Sequence, residues 1–89
     1  MSLLGSIAIS LAGRDKGRTF IIVGVLDEAY VLVADGRKRK IEKPKKKKMK
    51  HIRTVAQPDG ELATLIDQKG LTNRTAAKIV SSYHTCPEK

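Results

Sequence analysis

The sequence predicts a mainly β fold, a small closed barrel or sandwich, followed by a short helical segment. Residues 6–12 alternate between large apolar residues and small residues, serine or alanine, which is the period of a half-buried strand. Twelve of the fifteen residues from 20 to 34 are apolar, which is typical of strands covered on both faces. Beyond Pro58 the apolar spacing becomes helical. The length of 89 residues allows one small domain and excludes the architecture of most large enzymes.

The first two strands form a predicted β-hairpin. Residues 5–12 (GSIAISLA) and 18–26 (RTFIIVGVL) flank a five-residue loop, GRDKG, with a glycine at each end. Gly13 and Gly17 allow positive φ angles, and the Asp15 carboxylate can accept N–H groups of the turn. The basic side chains of Arg14 and Lys16 would then point outward.

A second hairpin is predicted from the dipeptide Asp35-Gly36. Residues 29–34 (AYVLVA) form the third strand, and a type I′ turn at Asp35-Gly36 leads into a fourth strand at residues 37–42 (RKRKIE). Alternation puts Arg37 and Arg39 on one face of that strand. Pro44 should stop it or confine it to an edge, which leaves residues 43–53 (KPKKKKMKHIR) extended or loop-like. A short closing strand is predicted at residues 51–56.

Two short helices are predicted in the C-terminal part. Asp59 is the expected N-cap of a helix that runs to Gln68 and is ended by Gly70. Thr72 should cap a second helix whose apolar face has helical spacing, made of Ala76, Ile79, Val80 and Tyr83. The expected organisation is therefore a barrel at residues 1–57 and a helical extension at residues 58–89.

Positive charge is concentrated in one segment of the chain. The sequence has 18 lysines and arginines against 9 acids, for a net charge of +9. Eleven of the basic residues lie between residues 37 and 53, with Glu42 as the one acid among them: Arg37, Lys38, Arg39, Lys40, Lys43, Lys45, Lys46, Lys47, Lys48, Lys50 and Arg53. Seven basic and eight acidic residues remain elsewhere. Such a block of one sign recruits polyanions, and nucleic acid is the first candidate partner.

The expected mode of binding is through phosphates and shape. Of the three aromatic residues, Phe20 and Tyr30 lie in apolar runs and are expected in the core, while Tyr83 lies on the apolar helix face. Base stacking is therefore poorly supported. Arg14, Lys16 and Arg18 at the first hairpin, the basic segment and His51 are the predicted RNA-binding residues. Six to eight phosphate contacts would give a log–log salt slope of roughly −4 to −7.

The motifs SLAGRDKG and YVLVADGRKRKIEKPKKKK, with GSI before them, resemble the KOW motif over residues 3–52. They are most similar to the KOW domain of the large-subunit ribosomal protein fourteen family of archaea and eukaryotes, and to short bacterial KOW proteins. The resemblance implies an SH3-like barrel that contacts ribosomal RNA. Gly17 matches the near-obligatory glycine of the motif, and Arg14, Lys16 and Arg18 match loop residues facing phosphates. Residues 57–89 do not follow that family clearly, so a transient ribosome-associated protein is an alternative to a permanent subunit.

The other function classes find less support in the sequence. The alternative of a different class is a KOW-type protein-interaction module of the transcription or translation machinery, with the C-terminal helices docking a protein. A lysine-mediated membrane binder lacks the usual amphipathic helix. No catalytic set, cofactor or metal site is expected, because His84 and Cys86 have no second ligand pair. The single cysteine and the absence of an apolar span indicate a cytoplasmic protein.

Overall fold

The computed structural model describes residues 3–14, 16–56 and 60–83, which fold into a five-stranded antiparallel sheet with two helices. The elements in chain order are β1 (Ile7–Ser10), β2 (Thr19–Val25), β3 (Tyr30–Ala34), β4 (Lys45–Lys48), a 3-10 turn (Met49–His51), β5 (Ile52–Ala56), α1 (Gly60–Asp67) and α2 (Asn73–Tyr83). The strand order across the sheet is β4-β3-β2-β1-β5. The predicted mainly β fold with a helical C-terminal segment is confirmed.

The sheet bends into a small barrel. Register shifts between Ile22 and Gly24 and between Ile7 and Ala8 interrupt the regular pairing, and such bulges increase the local twist and bend of a strand. The 3-10 turn carries the chain from β4 at one edge to β5, which pairs with β1 at the other edge. The Met49 N–H donates to the Ala29 carbonyl at 2.7 Å and fixes this turn to the start of β3.

Both faces of the central strands are covered. In the register of β1 and β2, Ile7 lies opposite Ile21 and Ala8 lies opposite Phe20, and cross-strand partners share a face. The inner face carries one apolar cluster, made of Ala8, Phe20, Ile22, Val31 and Val33. The outer face carries a second cluster, in which Ile7 and Ile21 are grouped with Leu62 of α1, Ala76 of α2 and Leu71 from the connection between the two helices. This double coverage explains the apolar density of residues 20–34.

Both helices end or begin with recognisable caps. The Thr72 hydroxyl accepts the Thr75 N–H at 3.1 Å, which confirms the predicted N-cap of α2. The end of α1 differs from the prediction, because Lys69 and not Gly70 takes the left-handed conformation, with a φ of 58°. The Gly70 N–H donates to Leu65 and the Lys69 N–H donates to Ile66, the hydrogen bonds of a Schellman motif. Asp59, the expected cap of α1, and the predicted domain boundary after residue 57 lie outside the described residues.

The predicted fourth strand is wrong. Residues 37–42 form bends and turns, and β4 is instead the lysine run Lys45–Lys48, paired with β3. A type I′ turn needs positive φ at both central residues. Gly36 meets this requirement with a φ of 78°, but Asp35 does not have a positive φ, so the two residues do not form such a turn. Pro44 precedes an edge strand rather than ending one, as the missing N–H of proline permits. The alternation inferred for Arg37 and Arg39 therefore does not apply.

Two tyrosines differ from their expected environments. Tyr30 is half-buried, and the Lys46 ammonium lies 4.3 Å from the centre of its ring, so this ring is not a core residue. Tyr83 ends α2 with 42% of its surface exposed. Phe20, at 2% exposed, lies in the core as predicted.

Candidate nucleic-acid interface

Most of the predicted RNA-binding side chains reach solvent. Ten are exposed: Arg14, Lys16, Arg37, Lys38, Lys40, Lys43, Lys46, Lys48, Lys50 and Arg53. Four are half-buried: Arg18, Arg39, Lys45 and His51. Lys47 alone among the fifteen is buried. The structure therefore divides a set that looked uniform in the sequence.

The four lysines of β4 point alternately to two faces of the sheet. Lys45 and Lys47 pair with Val33 and Val31, whose side chains lie in the inner cluster. Lys46 and Lys48 point to the outer face and are exposed. Because successive residues of a strand face opposite sides, a run of identical residues acquires two environments. The exposed pair can meet a phosphate backbone, while Lys47 has a role inside the fold.

The ammonium of Lys47 holds the loop between β1 and β2. It donates to the Ala12 carbonyl at 3.1 Å, and the same carbonyl accepts the Ser10 hydroxyl at 3.0 Å. Ser10 is itself 1% exposed. A buried hydrogen bond from a charged donor is among the stronger polar contacts in a protein. Lys47 thus positions the first loop on β4.

The loop between β1 and β2 is built on two left-handed glycines. Gly13 and Gly17 have φ values of 78° and 86°, as the glycine pattern predicts. The Gly17 N–H donates to the Ser10 carbonyl at 2.8 Å and closes the loop. Lys16 is exposed beside Gly17, whereas Asp15 lies outside the described residues. Arg14 and Lys16 are therefore exposed on a loop whose backbone is hydrogen-bonded at Ala12 and at Gly17.

The basic loop, residues 35–44, is organised by Asp35. One carboxylate oxygen of Asp35 accepts the N–H groups of Arg37 and Arg39, each at 2.9 Å. The Asp35 and Gly36 N–H groups both donate to the Arg39 carbonyl. Asp35 is 6% exposed, and its carboxylate stabilises this turn from inside the fold. The result is a compact loop from which Arg37 and Lys38 project into solvent.

A second contact ties the basic loop to helix α2. The Asn73 side chain accepts the Ile41 N–H at 2.8 Å and donates to both oxygens of Glu42, at 2.8 and 3.0 Å. This hydrogen bond from Asn73 is the main reason why the pKa of Glu42 lies below its ordinary value, with Lys40 adding a smaller effect in the same direction. The one acid of the basic segment therefore anchors the loop to α2.

The loop between β1 and β2, the basic loop and α2 converge on one groove, which has a volume of about 400 Å³. Its lining includes Lys16 and Arg18 from the first hairpin, Arg37 from the basic loop and Ser81 from α2. Arg37 Nη2 lies 3.4 Å from Ser81 Oγ. The structure thus brings three predicted residues together across long sequence distances. The remaining cations of the basic loop do not line this groove.

Sequence reasoning missed the polar residues of α2. Asn73 and Ser81 are ordinary helix residues in the sequence, and no local pattern marks either as a partner of the basic loop. Their contacts with Ile41 and Arg37 span 32 and 44 residues. The helical spacing of Ala76 and Val80 predicts that α2 has an apolar face, but not which loop the helix meets.

Within the described ranges, no group of three histidine, cysteine, aspartate or glutamate side chains is placed to hold a metal ion. His84 and Cys86 lie outside those ranges. No helix in the described part of the chain combines the length and the apolar character that a membrane span requires.

The fold and the site define a small basic β-sheet domain with cations gathered on an edge strand and two loops. No family model matches the chain. The large ribosomal subunit protein eL14 of Desulfurococcus amylolyticus is 32% identical to it over 78 residues, covering 79% of this chain and 81% of the relative. The chain belongs to the family of large ribosomal subunit protein eL14. This alignment is longer than residues 3–52, so the expectation that the likeness ends there is corrected.

Proposed function

We propose that the chain is a component of the large ribosomal subunit that binds ribosomal RNA and catalyses no reaction. Its membership of the eL14 family supports the ribosomal setting. The observation that carries the proposal is the exposure of ten basic side chains, eight of them between residues 37 and 53. A surface of one sign at this density attracts a polyanion and releases its counterions. A ribosomal role also implies a cytoplasmic protein.

The proposed contacts are with phosphates rather than with stacked bases. Phe20 is buried and the ring of Tyr30 is covered by Lys46, so Tyr83 is the one exposed aromatic residue. Folded RNA is recognised through its backbone and shape when no aromatic platform is available. This mode suits a protein that binds structured ribosomal RNA.

The residues proposed to meet RNA are the predicted set without the buried Lys47; ten of them are exposed and four are half-buried. The first group surrounds the β1–β2 loop and comprises Arg14, Lys16 and Arg18. The second group follows β3 and comprises Arg37, Lys38, Arg39, Lys40, Lys43, Lys45, Lys46, Lys48, Lys50, His51 and Arg53. Lys47 supports the loop from inside and is proposed to act indirectly.

We propose further that residues 3–52 form a domain of the KOW type. The conformation of Gly17 supports this assignment. Its φ is positive, a conformation that glycine adopts readily and other residues rarely do, and the motif has its near-obligatory glycine at this position. The family relationship favours a ribosomal role over a protein-interaction module. If the chain were instead a protein-interaction module, replacing exposed lysines by glutamine would leave its binding to the protein partner unchanged.

The proposal is tested by sedimenting cell extract through sucrose gradients at low and high salt. We expect the protein to migrate with the large ribosomal subunit at both salt concentrations. Release by high salt would instead indicate a peripheral binder of the ribosome. A protein that stays at the top of both gradients would contradict the proposal.

A matched pair of variants shows whether the basic surface is responsible. Lys46→Gln with Lys48→Gln removes two exposed charges from β4 and leaves Lys47 in place. Gln68→Glu with Lys69→Asn lowers the net charge by the same amount at the end of α1, and asparagine tolerates the left-handed conformation of residue 69. We expect the first variant to dissociate at lower salt than the wild type, and the second to behave like the wild type.

A further inference from the structure

The groove between the first hairpin, the basic loop and α2 has the chemistry of an anion site. Lys16, Arg18 and Arg37 supply three positive charges from two separate loops. Among the described residues of its lining, Asp35 is the one acid, and one of its carboxylate oxygens already accepts two backbone N–H groups of its own loop. The lining therefore keeps a net positive charge. A volume of about 400 Å³ accommodates a phosphate with its adjoining sugar.

Arg37 is placed to serve such a ligand. Its guanidinium is exposed and makes a long contact of 3.4 Å with the hydroxyl of Ser81. A guanidinium has five N–H donors in a planar fork that matches two phosphate oxygens. The contact with Ser81 uses one donor group and holds the side chain over the groove. The Ser81 hydroxyl can itself donate a hydrogen bond to an oxyanion.

Helix α2 is fixed firmly enough to act as a wall of this groove. A Cβ atom placed on Gly36 would lie 2.2 Å from the Asn73 carbonyl oxygen, so the basic loop and the start of α2 are in close backbone contact. Asn73 bonds the loop at Ile41 and Glu42, and Ala76 is fully buried against the sheet. These contacts set the position of Ser81 relative to Arg37 before any ligand arrives.

We propose that this groove binds a backbone phosphate of RNA, and that α2 is thereby part of the RNA interface. The inference rests on the proposed function and extends it, because it adds Ser81, in the last turn of α2, to the residues that bind RNA. Lys16, Arg18 and Arg37 hold the phosphate, and Ser81 positions Arg37 and adds a donor. The helix contributes to RNA binding rather than serving only as a surface for a protein partner.

The decisive experiment compares two adjacent serines of α2. Ser81→Glu places a carboxylate beside Arg37, where it competes with a phosphate. Ser82→Glu adds the same charge on the same helix at an exposed position that does not line the groove. Affinity for in vitro transcribed large-subunit ribosomal RNA is measured across a range of salt concentrations, with circular dichroism to verify folding.

We expect Ser81→Glu to weaken binding about tenfold or more and to reduce the salt slope by about 1, which is the loss of one phosphate contact. Ser82→Glu should weaken binding less than about threefold, because residue 82 lies about 100° further around the helix and its carboxylate would not compete with a phosphate in the groove. Equal effects of the two substitutions on affinity and slope would overturn the inference. Arg37→Gln, compared with Arg74→Gln at an exposed position of α2 that does not line the groove, provides a second pair with the same expected contrast.

A titration with inorganic phosphate tests the groove without RNA. We expect amide chemical shifts at Lys16, Gly17, Arg37 and Ser81 to move with phosphate, and not with chloride at the same ionic strength. The Ser81→Glu variant should lose these shifts while Ser82→Glu keeps them. Absence of the shifts in the wild type, together with equal RNA affinities of the two variants, would refute the phosphate groove. Failure of the wild type to bind ribosomal RNA at all would instead refute the proposed function.

Discussion

At the scale of single residues, neighbouring lysines of β4 have different roles. The Lys47 ammonium is buried against the Ala12 carbonyl, whereas Lys48 is exposed. We expect Lys47→Gln to lower the free energy of unfolding by about 1–2 kcal/mol, because a buried charge-assisted hydrogen bond is lost. Lys48→Gln should change it by less than about 0.5 kcal/mol. Urea denaturation of both variants measures the difference, and equal effects would show that Lys47 does not hold the loop.

The carboxylate of Glu42 links the stability of the domain to pH. Its hydrogen bonds from Asn73 hold its pKa below the ordinary value of 4.5. The folded state therefore resists protonation more than the unfolded state does. The stabilisation is complete above the unfolded pKa and is lost as the pH falls through the folded pKa.

Glu42→Gln, which cannot titrate, provides the test. We expect the wild type to exceed this variant in the free energy of unfolding most clearly near neutral pH. The difference should shrink as the pH is lowered below 4.5. Denaturation at a series of pH values measures it. A difference that stays constant or grows in acid would contradict the role given to Glu42.

At the scale of elements, the docking of α2 depends on a glycine of the basic loop. Gly36 and Gly17 both have positive φ, but only Gly36 meets the backbone of α2. Gly17→Ala should cost about 1–2 kcal/mol of stability through backbone strain alone. Gly36→Ala should cost about 1–3 kcal/mol more, since its Cβ would overlap the Asn73 carbonyl.

Thermal unfolding and amide hydrogen exchange measure this contrast. The Gly36→Ala variant should show faster exchange in α2, while Gly17→Ala should leave exchange in the helix unchanged. Equal stabilities and equal exchange rates would mean that α2 does not need the close approach at Gly36.

Sequence patterns predict the elements whose own residues carry a periodic or apolar pattern and miss β4, whose residues carry none. The strands β1, β2, β3 and β5 and helix α2 follow from alternation, apolar density and the Thr72 cap. The strand β4 does not, because four identical lysines carry no periodicity and Asp35-Gly36 imitates a hairpin turn. Two contacts stabilise a different conformation. The Asp35 carboxylate accepts the Arg39 N–H, and Gly36 packs against the backbone of α2.

The candidate site shows the same division. The sequence alone identifies the basic segment and the cations near Gly17, because the order of charged residues along the chain does not depend on the fold. Which lysine is buried depends on the register of β4 with Val31, and the place of Arg37 depends on Ser81. Neither relation leaves a trace in the local sequence. The incorrect prediction of a strand at residues 37–42 also prevented a prediction of the groove. In a strand, Arg37 would lie on the sheet and not beside α2.

At the scale of the whole molecule, the charge asymmetry is the feature that the account depends on. Eleven basic residues lie in a segment of seventeen, while the rest of the chain is nearly neutral. The fold spreads these cations over the edge strand and the adjoining loops and buries only one of them. The protein therefore presents several separate groups of cations on one small domain.

Binding through the basic surface is tested by measuring the affinity of the wild-type protein for large-subunit ribosomal RNA as a function of salt. Each phosphate contact contributes about 0.7–0.9 to the slope of log K against log salt, so six to eight contacts predict a slope of roughly −4 to −7. A slope in that range would establish binding through the basic surface. A slope near −1 would contradict the account.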